Sequence, residues 1–177
     1  RTLGAAFADY AGRHPDKTAI HAIDQEISIT FGELNLLTNR IATRMMSEGI
    51  RGGDRVAILT GECVEKLLLM FAAWRCGASA CPFHAEIAPN HMRSILKTID
   101  PRLIVWRSGD VDGVALATGL PCSTREFTKL DSNSGFFAEL PDNTEGLPAP
   151  GTEYRPDNEG CIFATSGTTD RPKCVVW

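Results

Sequence analysis

The chain has 177 residues, 43% of them hydrophobic, and 18 Lys and Arg against 22 Asp and Glu give a net charge of −4. That is the size and composition of one globular domain or a piece of a larger one, and it excludes collagen-like, low-complexity and wholly disordered chains. The longest apolar run, KLLLMFAA at 66–73, is far short of the roughly 20 residues of a membrane span. No basic block marks a nucleic-acid partner.

In chain order, Leu3, Phe7, Tyr10 and Ala11 share one helical face, and Pro15 ends that helix. Residues 17–30 alternate around Asp24 and Gln25 and predict two short strands joined by a turn. A helix is predicted over 31–48. Thr30 and Glu33 fit the S/T-x-x-E capping box, Ile29 and Leu34 fit the staple around it, and Gly49 supplies the left-handed stop. Strands at 56–60, 78–83 and 102–106 then alternate with helices at 62–76 and after Asn90, which reads as an N-cap. Short apolar strands alternating with helices predict an α/β fold, a parallel β-α-β sheet covered by helices with right-handed crossovers.

Residues 111–129 suggest a short helix and strand. The segment 131–160 carries four Pro and four Gly and reads as a long surface connection. A buried strand is expected at 160–165. The resulting organisation is an α/β subdomain at 1–130, a Pro/Gly-rich connection at 131–160, and a strand with its loop at 161–177.

That loop, TSGTTDRPK at 165–173, is the most informative segment. A phosphate group needs several short hydrogen-bond donors and a cation, and glycine lets backbone amides approach it closely. Thr165, Ser166, Gly167, Thr168, Thr169 and Lys173 meet that need. The segment does not fit the G-x-x-x-x-G-K-[ST] loop, and no G-x-G-x-x-G occurs.

The order of these residues resembles the phosphate-binding signature TSGTTG-x-PKG of the adenylate-forming (AMP-binding) enzymes, the superfamily of acyl-CoA synthetases, luciferases and nonribosomal peptide synthetase adenylation domains. Upstream segments add to it in succession. SITFGELN at 28–35, GIRGGDRV at 49–56 and AAWRCGA at 72–78, followed by Pro82, are similar to the family's LTY-x-E-L-N, G-V-x-x-G-D-x-V and A-x-x-x-x-G-A…P.

The resemblance implies the N-terminal subdomain of that fold and a two-step ligase using Mg2+ and ATP. A carboxylic acid substrate is adenylated, and coenzyme A or a carrier phosphopantetheine then takes the acyl group. By the same resemblance Thr165, Ser166, Gly167, Thr168, Thr169 and Lys173 bind the β- and γ-phosphates, with Lys173 offsetting charge on the departing pyrophosphate. The ribose-binding aspartate, the magnesium-binding glutamate and the lysine-bearing lid of the family belong downstream of Trp177. A fragment that begins at Arg1 and lacks them is expected to need the missing C-terminal part of its chain for activity, and its truncated sheet to favour self-association.

Two positions depart from the signature: Asp170 and Cys174 stand where the family has glycine. A carboxylate near polyphosphate opposes binding, and this motivates the alternative of a degenerate, non-catalytic domain used for binding or assembly. Two other constellations are weaker. Cys76, Cys81, His84 and His91 offer zinc-ligand types but not the tight paired spacing of zinc sites, and no G-x-S-x-G accompanies Ser166. No metal ligand is assigned. The six cysteines contain no C-x-x-C and read as reduced packing residues of a cytoplasmic protein.

Overall fold

The computed structural model describes residues 3–138, 140–144, 147, 159–165 and 173–177, with side chains from residue 6 onward. Helix α1 (Leu3–Arg13) is followed by the antiparallel pair β1 (Thr18–Ala22) and β2 (Ile27–Thr30). Phe7 of α1 stacks on Phe31 and Phe71, at ring-centroid distances of 6.3 and 5.1 Å. Helix α2 (Phe31–Ser47) begins with the expected reciprocal cap. The Glu33 amide donates to Thr30 Oγ1 at 3.2 Å and the Thr30 amide to Glu33 Oε2 at 2.8 Å. Hydrogen bonds from the Thr30 amide and from its side chain hold the Glu33 carboxyl below its ordinary pKa. Ile29 and Leu34 are both buried in the same core cluster.

The centre of the molecule is a four-stranded parallel sheet ordered β4-β3-β5-β6, built from β3 (Arg55–Leu59), β4 (Ser79–Phe83), β5 (Leu103–Arg107) and β6 (Ser123–Phe127). Helices α3 (Val64–Arg75), α4 (Pro89–Ile99) and α5 (Gly113–Ala117) make the crossovers. Val56, Ile58, Leu103 and Val105 face α2 and α3 in one cluster, while Ala57, Leu59, Cys81, Phe83 and Ile104 face α4 and α5 in the other. The chain steps from β3 outward to β4, then reverses over β3 to β5. Crossovers of one hand must change face on such a reversal, and α3 and α4 do lie on opposite faces.

Three expectations need correction. Asn90 does not cap α4: Ala88 holds that position, Pro89 opens the helix, and Asn90 Oδ1 instead accepts from the His91 amide at 2.9 Å. Pro supplies the first-turn geometry without a donor to satisfy. The described part of 131–160 is not all surface, since Phe136 and Phe137 are 1% and 4% exposed. Phe137 packs edge-on against Phe127 with ring centroids 5.2 Å apart. The strand at the end of the chain, β7 (Ile162–Thr165), is only half buried and pairs antiparallel with a further strand, β8 (Lys173–Val176).

A close approach constrains α5. A Cβ placed on Gly113 overlaps the Trp106 ring, so the indole has to leave its site for any larger residue to fit. Gly113→Ala is expected to cost about 1–3 kcal/mol through overpacking, read as a lowered urea midpoint with an unchanged slope. A variant as stable as the wild type would show that the ring moves freely.

Candidate functional site

The hairpin β7-β8 carries the two ends of the hydroxyl-rich loop. A parallel bridge joins Cys161 to Ala80, so β7 runs in the direction of β4. Thr165 therefore emerges at the carboxyl end of the sheet, where β4 gives way to His84. Ile162, Ala164 and Cys174 pack against the cluster under α4. By strand alternation the opposite face presents Phe163, Thr165, Lys173 and Val175, and Phe163 and Val175 are 42% and 43% exposed.

Thr165 and Lys173 form the last register pair of the hairpin. Directly paired residues on one face have Cβ atoms about 5 Å apart, so the Thr165 and Lys173 side chains leave the hairpin next to each other at the mouth of the loop. Thr165 Oγ1 donates to the Lys173 carbonyl at 3.3 Å, a long bond that another acceptor can displace at small cost. Among the described residues no carboxylate pairs with Lys173. Ser166, Gly167, Thr168, Thr169 and Asp170 lie outside the described residues. Cys174 pairs with Ala164 and turns toward the α4 side; its departure from glycine is accommodated as packing.

In an open α/β sheet the default ligand position is the crevice at the carboxyl ends where the strand order reverses, here between β3 and β5. It is filled from within. One oxygen of Asp110, Oδ2, accepts from the Gly61 amide at 2.8 Å and from Thr60 Oγ1 at 3.0 Å. An internal carboxylate thus occupies donors that an anionic ligand would use. Beside it, Lys66 Nζ donates to Glu62 Oε1 at 2.6 Å, and His84 Nε2 lies 3.9 Å from the same oxygen. The Lys66 bond holds the Glu62 carboxyl below its usual range.

Sequence reasoning missed Thr60, Glu62, Lys66 and Asp110 as lining of this edge. Their signal was positional: each polar residue follows or flanks the end of an apolar strand. The candidate zinc set is not assembled. Cys76 belongs to the cluster under α3 and Cys81 to that under α4, on opposite faces of the sheet. Their thiols donate to the carbonyls of Ala42 and Ser79 at 3.5 and 3.8 Å. Burial pushes the Cys81 thiol up to about 12 and the Cys161 thiol up to about 11, which keeps both protonated and unreactive near neutrality. No helix among the described residues is long and apolar enough to cross a membrane.

A family model described as AMP-binding enzyme covers residues 7–177. The oxalate–CoA ligase of Arabidopsis thaliana is 29% identical over 98% of this chain and 34% of its own length. Surfactin synthase subunit 2 of Bacillus subtilis (strain 168) is 29% identical over 99% of this chain and 5% of its own. The chain thus spans about a third of the first and a small part of the second. The inhibitor-bound N-terminal domain of FACL13 from Mycobacterium tuberculosis superposes with a TM-score of 0.83 at 24% identity, covering 100% of this chain and 44% of that one; this likeness is one of fold.

Proposed function

Because the chain belongs to the AMP-binding enzyme family, we propose that it is the N-terminal portion of an ATP-dependent, AMP-forming carboxylate ligase of the acyl-CoA synthetase type. The observation that carries the reading is the Thr165–Lys173 register pair, which puts a donor and a cation at the two ends of the hydroxyl-rich loop at the carboxyl edge of the sheet.

In the proposed reaction a carboxylate oxygen forms a bond to the α-phosphorus of ATP as the bond to the bridging oxygen of the β-phosphate breaks, and pyrophosphate leaves. A thiol of coenzyme A or of a carrier phosphopantetheine then attacks the acyl carbonyl and AMP departs. The chain's own part is electrostatic. Lys173 offsets the charge that accumulates on the leaving pyrophosphate, and Thr165 with Ser166, Gly167, Thr168 and Thr169 donates to the terminal phosphates. Mg2+ arrives with the nucleotide.

The two described members fit such a group: Thr165 and Lys173 pair a hydroxyl-bearing residue with an exposed cationic one at the end of the hairpin, on a strand beyond β4 and apart from the crevice where Asp110 accepts from Gly61 and Thr60.

The test is carboxylate-dependent exchange of labelled pyrophosphate into ATP by the full-length polypeptide, with fatty, aryl, dicarboxylic and amino acids offered separately. Exchange with one class is the expected result. Absence of exchange with every class, together with no Mg-ATP binding by calorimetry, would favour the alternative of a non-catalytic domain, which the carboxylate at Asp170 motivates.

A further inference from the structure

We propose that Arg55, Ser79 and Trp74 form a clamp on residues Glu159 and Gly160 that positions Thr165 and Lys173, an inference that rests on the reading of the hairpin as a phosphate site. The hairpin needs such a device. Two strands of four residues each are marginal on their own, and among the described residues only the Ala80–Cys161 bridge joins them to the main sheet by strand pairing.

What holds the hairpin is concentrated at its base. The Arg55 guanidinium donates through Nε and Nη2 to the two carboxylate oxygens of Glu159, both at 2.7 Å. Ser79 Oγ donates to the Glu159 carbonyl at 2.6 Å. Trp74 Nε1 donates to the Gly160 carbonyl, also at 2.6 Å, and the Ala80 amide shares that carbonyl at 3.1 Å. These donors come from β3, β4 and α3, so three separate elements converge on two residues. Arg55 is itself fixed by donating to the Ile99 carbonyl at 2.8 Å.

The second strand is tied to the same point. The amides of Gly160 and Cys161 donate to the Trp177 carbonyl, and the Trp177 amide donates to the Cys161 carbonyl. A bidentate guanidinium–carboxylate pair fixes orientation as well as distance, and the indole bond adds a second axis.

The lever is long enough to matter. Five residues of extended chain separate Gly160 from Thr165, about 17 Å. A tilt of ~5° at the base thus displaces the hydroxyl by ~1.5 Å, a misplacement of the size that costs about 10²-fold in positioned reactions. None of the clamp side chains belongs to the loop; they act through the hairpin.

The experiment combines two measurements on Glu159→Ala and Trp74→Phe. Hydrogen exchange of the β7-β8 amides is expected to accelerate about 10-fold in Glu159→Ala and about 3-fold in Trp74→Phe, with the β3 and β5 amides unchanged. In pyrophosphate exchange by the full-length polypeptide, at a saturating level of its fastest carboxylate, the KM for Mg-ATP is expected to rise about 10-fold in Glu159→Ala. The KM for the carboxylate should stay within about two-fold. Glu159→Gln, which keeps a hydrogen bond to Arg55, is expected to recover part of the loss. Trp74→Phe keeps an aromatic ring against Phe71, and its KM for Mg-ATP is expected to rise about 3-fold, which keeps the test open if the alanine variant folds poorly.

Unmoved hairpin amides in both variants overturn the clamp. So does an unchanged KM for Mg-ATP in both, when Lys173→Ala weakens the reaction. A Lys173→Ala variant indistinguishable from wild type overturns the phosphate-site reading instead, and the positioning role falls with it even where the hairpin loosens.

Discussion

Replacement of Lys173 by alanine in the full-length polypeptide is expected to lower carboxylate-dependent pyrophosphate exchange by about 10²-fold or more. An ammonium about 4 Å from a phosphate charge gains ~4 kcal/mol at an effective dielectric of ~20, and solvent at an exposed hairpin reduces that to the size of one preorganised donor in other sites. The loss should appear both in the KM for Mg-ATP and in turnover, because the ammonium meets phosphate charge in the bound nucleotide and more of it as the leaving group departs. Lys173→Arg keeps the charge but spreads it over a planar fork, and an intermediate rate is expected. Exchange at the wild-type rate in the alanine variant would remove Lys173 from the reaction.

The second large effect concerns stability. Glu65 lies in the first turn of α3 and is 0% exposed. Its two oxygens accept from Gln25 Nε2 and from the Leu130 amide, each at 2.9 Å. Gln25 Oε1 in turn accepts from the Val64 amide at 2.7 Å. The N-cap Cys63 makes no side-chain cap of its own, so α3 is capped from the β1-β2 turn instead. Removing Glu65 strands two half-buried donors, each worth about 1–3 kcal/mol where water is kept out. Glu65→Ala is therefore expected to lose about 3 kcal/mol and roughly 10 °C in Tm. Glu65→Gln should lose less, because one carbonyl oxygen still accepts. A loss under ~1 kcal/mol for the alanine variant, measured by urea unfolding, would show that the three segments are not held through this carboxylate.

These two residues illustrate what could be read in advance. Lys173 is a candidate on sequence alone because its neighbours form an ordered pattern of hydroxyls and glycine, and the chemistry of that pattern is local. Glu65 is not. A glutamate in the first turn of a helix reads as a surface residue favoured by the helix dipole, and nothing in its own segment announces partners 40 and 65 positions away. Phe136 and Phe137 were hidden in the same way, since the Pro and Gly around them signal a loop while their rings close the core beside Phe127. The strand β8 was missed because Lys173–Val176 is too short to show a period, and only pairing with β7 makes it a strand.

By itself the sequence determined the helices and strands of the β-α-β units, the capping box at Thr30, and the order of groups in the loop. These depend on apolar periodicity and on hydrogen bonds within a few residues, and such interactions are written where they act. The tertiary structure alone decided that the crevice between β3 and β5 is filled by Asp110, that Cys76 and Cys81 lie on opposite faces of the sheet, and that Glu159 and Gly160 are gripped by Arg55, Ser79 and Trp74. Each of these is a meeting of polar groups from distant segments, created when burial of the two apolar faces of the sheet brings those segments together.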